Sequence, residues 1–347
     1  MAYTDIDDPS AYFQTKLYAG NSTARSITFD GNSDLQPDWV WIKERDAAIN
    51  HYGYDSVRGV DKRLQQNINN AESDTDTAWF RSFDSDGFTI GNEDNINDTG
   101  DNYVAWNWKT GTSFSNDASA TSVGSIDSAG SVNTTSGFSI ITYTGTGSAA
   151  TVAHGLGVAP KLIINRTISA AKEWDVYYGD PTDYLVLNTT AATADASDKW
   201  NDTAPTSTVW SIESSSQNNT SGGTCLAYCF AEKKGFSKIG SYTGNGNANG
   251  NFIYLGFKPA FILLKGTANT EDWSIYDNKR LGYNVDNNVL ASNSSAAELT
   301  DDNIDLLSNG FKIRRQTGLL NDAQNYIFMA FAEQPLVTST GVPATAR

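Results

Sequence analysis

The chain has 347 residues, 39% of them hydrophobic and 12% aromatic, enough to bury the cores of two or three domains and too apolar for a disordered chain. Its formal charge of -16, from 24 Lys and Arg against 40 Asp and Glu, sets up a negative field that repels nucleic acid and other polyanions. No apolar run is long enough to span a bilayer, and Met1 to Ser10 carry no charged-then-apolar leader pattern.

In chain order, Met1 to Ala11 (residues 1–11) is an acidic arm without strand periodicity. A first unit spans residues 12–111 and holds Trp39, Trp41, Trp79, Trp106 and Trp108. Residues 112–136, rich in Ser, Thr, Ala, Gly and Asn, have the composition of a linker or long loop. A second unit spans residues 137–234, and a third follows without a spacer at residues 235–335. That spacing predicts rigid docking of the second unit on the third and more freedom for the first. Residues 336–347 form a polar tail.

The three units repeat one pattern. Tyr-x-Gly occurs at Tyr18 to Gly20, Tyr143 to Gly145 and Tyr242 to Gly244, and a proline-led strand follows each, at Pro37, Pro160 and Pro259. Six residues after each proline stands a base, Lys43, Arg166 or Lys265; fourteen after it, His51, Trp174 or Trp273; seventeen after it, Tyr54, Tyr177 or Tyr276. The last strand of each unit (YVAWNW, CLAYCF, YIFMAF) alternates a bulky face with a mostly small one, as in a sheet covered on both sides. Short strands separated by Gly, Asn, Asp and Ser clusters give an all-β fold, three tandem β-sandwich units of about 100 residues each, with barrel-like closure as the alternative. The one helical candidate is Lys62 to Glu72; its counterparts, Thr189 to Lys199 and Ala291 to Thr300, suit a short helix or a loop.

The repeat also weighs the chemistry. His51 occupies a slot that is tryptophan in the other units, which favours packing over general-base work. His154 lies between glycines with no Ser or Cys nucleophile motif nearby, and its counterpart by offset from the proline is Ile253. Cys225 and Cys229 stand four apart on one strand, about 13 Å along it, too far to bridge each other. Asp84, Asp86, Glu93 and Asp94 would suit a glycosidase pair, but Asp in such runs also forms turns. The loop at residues 92–102 fails the calcium-loop template because Ile96 falls at a ligand position, and the glycines at residues 145–157 lead into a strand, not a helix, so they form no phosphate loop. Asp55 with Arg58, and Asp277 with Arg280, recur in the outer units as ion pairs or as a shared surface. No catalytic, cofactor or metal residue is assigned. The polar connections before the last strands are the candidate contact loops, through Asn92, Asp94, Asn97, Asp98, Gln217, Asn218, Asn219, Asn321 and Asp322.

The strings PDWVWIKER, SFDSDGFTIGN, YVAWNWKTG, GFSIITYTGTG, HGLGVAPKLIINR, LAYCFAEKKGFSKIGSYTGNG, GFKPAFILLK and YIFMAFAEQP span nearly the whole chain. Together they resemble a repeated module of virion proteins in tailed bacteriophages, especially marine ones, often of tail-fibre-like type. The resemblance implies a structural, non-enzymatic virion component without a cofactor. It would be a tail-fibre or tail-appendage protein acting in host attachment, or alternatively a capsid decoration or head-fibre protein. Expected partners are other virion proteins, met through the arm or tail, and a host surface glycan or protein. Nucleic acid and membrane insertion are not expected. Self-association as a trimer would follow particle symmetry, and the absence of disulfides and leader fits assembly in a host cytoplasm. A carbohydrate-binding module or a polysaccharide depolymerase are readings from other classes.

Overall fold

β-branched and aromatic residues alternating with small or polar ones build the first unit's strands. They are β1 (Phe13–Ala19), β2 (Arg25–Thr28), β3 (Trp39–Glu44), β4 (Tyr52–Asp55), β5 (Gly59–Gln65), β6 (Ser73–Asp74), β7 (Phe80–Asp84), β8 (Gly87–Ile90) and β9 (Asn102–Trp108). The second unit has β10 (Thr112–Asn116), β11 (Ser128–Asn133), β12 (Phe138–Thr144), β13 (Ala150–Ala153), β14 (Leu162–Thr167), β15 (Asp175–Tyr177), β16 (Asp183–Val186), β17 (Ala194–Asp195), β18 (Val209–Ile212) and β19 (Thr224–Phe230). The third has β20 (Ser237–Thr243), β21 (Phe252–Tyr254), β22 (Phe257–Gly266), β23 (Ser274–Asp277), β24 (Asn288–Ala291), β25 (Leu299–Thr300), β26 (Ile304–Leu307), β27 (Gly310–Ile313) and β28 (Asn325–Pro335). This computed structural model describes residues 3–280, 284, 288–300 and 303–344.

The fold is all-β, 44% strand and 4% helix, in three sheet pairs that form three tandem sandwiches. The large sheets run β1-β9-β3-β4-β5-β6 and β20-β28-β22-β23-β24-β25 in the outer units, and β12-β19-β14-β15-β16-β17 in the second. In each unit the strand that carries Tyr-x-Gly therefore lies against the last, β1 on β9, β12 on β19 and β20 on β28. A smaller sheet covers each: β2-β8-β7, β13-β18 and β21-β27-β26.

Two expectations are corrected. Residues 112–136 are not a linker: β10 and β11 extend the second unit's sheet beyond β12 to eight strands. Small residues are needed there, since a Cβ on Gly130 would lie 1.8 Å from the Ile140 carbonyl oxygen. The segment Lys62 to Glu72 is not helical but holds the end of β5 and a turn, and of its counterparts only Ser197–Trp200 makes a single helical turn. With no apolar stripe at a period of 3.6, nothing would hold a helix there.

The bulky face of each last strand does not look into its own sandwich. Trp106 and Trp108, Tyr228 and Phe230, and Met329 and Phe331 share one central core with Trp39, Trp174, Phe261 and Trp273. Trp39 of the first unit stacks on Tyr228 of the second at 4.3 Å, while Phe331 of the third packs edge-on to Trp108 and Phe230 at 5.8 and 5.9 Å. The small faces, with Ala105, Ala227 and Cys229, line the sandwich interiors of the first two units. The first unit is thus bound into the body as firmly as the others, contrary to the freedom expected of it.

The units close a ring. Eight residues after the three prolines, the carbonyls of Arg45, Ile168 and Thr267 accept the N–H groups of Glu298, Glu72 and Thr193, so the first unit meets the third, the second the first, and the third the second. Trp174 Nε1 donates to the Gln65 carbonyl at 3.1 Å and Trp273 Nε1 to the Val186 carbonyl at 2.9 Å, again from the second unit to the first and from the third to the second. Head-to-tail contacts of one kind that return to their start make a closed pseudo-threefold assembly. The arm lies on this body: Thr4 and Ile6 are buried, Asp5 N donates to the Lys234 carbonyl at 3.0 Å, and Asp7 accepts from Ser339 N of the tail at 2.6 Å.

Candidate functional site

The candidate contact loops divide into a buried lock and an exposed rim. The lock is the same in all three units. Asn97 Oδ1 accepts the N–H of Asn21 at 3.1 Å, Asn219 Oδ1 that of Thr146 at 2.7 Å, and Asn321 Oδ1 that of Asn245 at 3.0 Å. The same amides donate to the carbonyls of Thr23, Ser148 and Asn247, at 2.8, 2.8 and 2.5 Å. All three asparagines are fully buried. The Tyr-x-Gly motif completes the lock. Tyr18, Tyr143 and Tyr242 donate their hydroxyls to the carbonyls just before these asparagines, Ile96, Asn218 and Leu320, at 2.9, 2.5 and 2.7 Å. A Cβ on Gly20, Gly145 or Gly244 would come within 1.9 to 2.2 Å of the carbonyl oxygen just after them. Burial drives the three tyrosine pKa values well above the usual range, so these hydroxyls stay protonated donors.

Asn97, Asn218, Asn219 and Asn321 are therefore framework, and no partner can reach them. Asp98 and Gln217 are half-buried; Asp98 accepts from Ser22 Oγ at 3.2 Å and Gln217 from Glu173 N at 2.8 Å. Asp322 is half-buried, with its N–H on Tyr326 Oη at 2.9 Å. Asn92 and Asp94 are exposed. Ile96, at a ligand position of the calcium template, is fully buried. Among the described residues, no three His, Cys, Asp or Glu side chains converge as a metal site.

The seams between units use several of the buried charges. Asp55 and Arg58 pair at 2.6 Å, and Tyr228 of the second unit donates to the same carboxylate at 2.8 Å. Asp277 and Arg280 pair at 2.6 Å, and there Trp106 Nε1 of the first unit donates at 2.9 Å. Arg58 reaches on to Glu72 and Arg280 to Glu298, while Arg45 of the first unit holds Glu298 with two bonds of 3.0 and 2.7 Å. In the third seam the donor position is Met329, and the second unit has Tyr178 and Pro181 in place of Asp and Arg. The donor and the carboxylate are lost together.

The recurring bases are buried ties. Lys43 Nζ donates to the carbonyls of Glu44 and Ala47, Lys265 Nζ to those of Thr190 and Asn269, and Arg166 to those of Asn69, Asn70 and Ala170. Burial lowers both lysines to about 8 and Arg166 to about 10. Asp175, buried beside Lys199 at 2.9 Å, is pushed up to about 6, burial outweighing the ammonium.

The histidines and cysteines are also interior. His51 Nδ1 accepts from Trp41 Nε1 at 2.9 Å, and burial, then the Lys43 charge, holds its pKa well below the usual value. His154 accepts Leu156 N at Nδ1 and turns Nε2 to the Thr206 carbonyl, both at 3.2 Å, and burial lowers it to about 4. Its counterpart is Leu255, not Ile253: the sheet register aligns Val152 opposite Trp210 with Ile253 opposite Phe311. The proline offset misses this because Pro160 follows His154 by six residues whereas Pro259 follows Leu255 by four. Cys225 and Cys229 are free, buried and raised in pKa by desolvation.

Outside this framework the three units also differ on β21. Phe252 and Tyr254 are 44% and 54% exposed on the outer sheet, with Ile253 buried between them. The equivalent positions are Ser26 and Thr28, both exposed, in the first unit, and half-buried Thr151 and buried Ala153 in the second. Sequence reasoning missed this pair because it searched the loops. Strand-by-strand alignment of SIT, TVA and FIY would have isolated two aromatics with no interior to fill.

A family model described as a domain of unknown function (DUF7483) matches residues 8–335, and the chain belongs to that family. No curated protein and no solved structure matches the chain.

Proposed function

We propose that this DUF7483 protein is a bacteriophage virion structural protein, a surface-exposed tail-fibre or tail-appendage component that acts in host attachment by binding and not by catalysis. The observation that carries the reading is the closed ring. Three sandwiches joined head to tail keep their histidines and cysteines in the interior and use buried charges in seams and backbone ties, leaving outer sheets and loop rims as the working surface. A rigid body that displays variable edges suits recognition. The phage assignment itself rests on the sequence resemblance.

Partners on this reading are other virion proteins and a host surface glycan or protein. The threefold arrangement expected of separate chains is built within one, so association of whole chains must use surfaces outside the seams. The arm and tail expected to anchor the protein are tied to its own body at Lys234 and Gly256 and to each other through Asp7 and Ser339, so their exposed rims, including Tyr3 and Val342, are what they offer a virion partner.

The test is localisation. Particles carrying this protein with an affinity label at the tail, imaged by electron microscopy, should show label at the tail tip or appendage. Label on the head would replace this reading by capsid decoration, and unlabelled particles would end both.

A further inference from the structure

We infer that the outer sheet of the third unit is a glycan-binding platform built on Phe252 and Tyr254, specific for neutral sugars with exposed C–H faces. This rests on the reading of the chain as a surface-binding virion component and names the site of that binding. Two residues apart on β21, the rings point to the same side, roughly 7 Å apart along the strand. They are the two aromatic rings exposed on the outer sheets among the described residues, where other aromatics fill cores, and the sister units carry Ser26, Thr28, Thr151 and Ala153 instead.

The surroundings fit a sugar. Lys312 stands across the sheet from Phe252, with Asp305 beyond it in the same row and Gly310 across from Tyr254, so polar groups flank the rings, and the missing side chain at Gly310 lets the Phe252 ring lie close to the sheet, its Cε2 3.1 Å from where a Cβ would stand. Lys312 Nζ donates to the Gly250 carbonyl at 2.7 Å, and Lys238 Nζ donates to the Tyr254 carbonyl at 2.7 Å while lying over one face of the Tyr254 ring, 5.4 Å from its centroid, so a sugar would stack on the opposite face. The adjoining loop presents Asn247 and Asn249, exposed amides able to donate and accept. Aromatic faces carry negative charge density that attracts the polarised C–H groups of a pyranose, and amides and carboxylates bridge its hydroxyls. Two alternatives are poorer fits. The net charge of -16 disfavours a polyanion, and two half-exposed rings fall far short of the roughly 800 Å² per partner of a stable protein interface.

The full chain should be run by affinity electrophoresis through gels containing neutral glucans, galactans or mannans. Retardation by at least one is expected, with Phe252→Ala and Tyr254→Ala each weakening it about tenfold or more, and Ser26→Ala leaving it unchanged. Unchanged thermal melting would exclude misfolding as the cause. No retardation in any gel, or retardation that survives the Phe252→Ala/Tyr254→Ala double variant, overturns the inference. So does self-association lost in that double variant, which would make the rings a contact between copies. Because this uses purified protein, labelled particles without glycan binding would sink the inference alone, and glycan binding without labelled particles would sink the virion reading alone.

Discussion

A buried asparagine that satisfies three backbone groups is costly to remove. Asn219 holds Thr146 N and the carbonyls of Ser148 and Glu213, and alanine would strand them away from water. We expect Asn219→Ala to lower stability by about 2–4 kcal/mol in urea titration, with like losses for Asn97→Ala and Asn321→Ala; a change within about 0.5 kcal/mol would refute the lock. His154 makes a pH prediction. Its folded pKa of about 4 lies below the usual 6.5, so the unfolded chain binds more protons between those values and stability falls as pH drops through that window. His154→Leu should remove up to about 3 kcal/mol of the loss between pH 7 and pH 4; an unchanged acid slope would show the ring is not held neutral. At this scale the sequence was half legible. Tyr-x-Gly stood out because its spacing is fixed, whereas its partner asparagines lie among other polar residues at offsets of 60, 59 and 62 from their prolines.

At the level of elements, strand type was written plainly in the alternation of YVAWNW, CLAYCF and YIFMAF, but what the bulky face meets was not. A strand's pattern says that a face is apolar, not whether its own sandwich or a neighbour covers it. The same ambiguity hid β10 and β11, whose Ser, Ala and Gly have the composition of a loop and pair because β12 offers them an edge. The seams give the sharpest test. Tyr228→Phe removes a bond to the buried Asp55 carboxylate and should cost about 1.5–3 kcal/mol, while Met329→Leu, at the seam without a carboxylate, should cost less than about 1.5 kcal/mol. A double-mutant cycle of Tyr228→Phe with Asp55→Asn should show the first loss to be coupled to the carboxylate. Additive losses would mean the bond contributes nothing.

For the whole molecule, a core shared by all three units predicts that they melt together. Calorimetry should give a single transition whose calorimetric and van't Hoff enthalpies agree, and residues 1–111 expressed alone should fail to fold, since Trp39, Trp106 and Trp108 would lose their cover. Two resolved transitions would instead show units that stand independently.

The ring has a further consequence through the contact between Asp7 and Ser339, which brings the two ends of the chain side by side. Joined by a short linker there and opened between Ala120 and Thr121, exposed residues of the single helical turn Ala118–Thr121, the protein should tolerate circular permutation and keep its fold. The order in which the modules are translated is then incidental, and what defines the molecule is the cycle of seams that any starting point would reproduce.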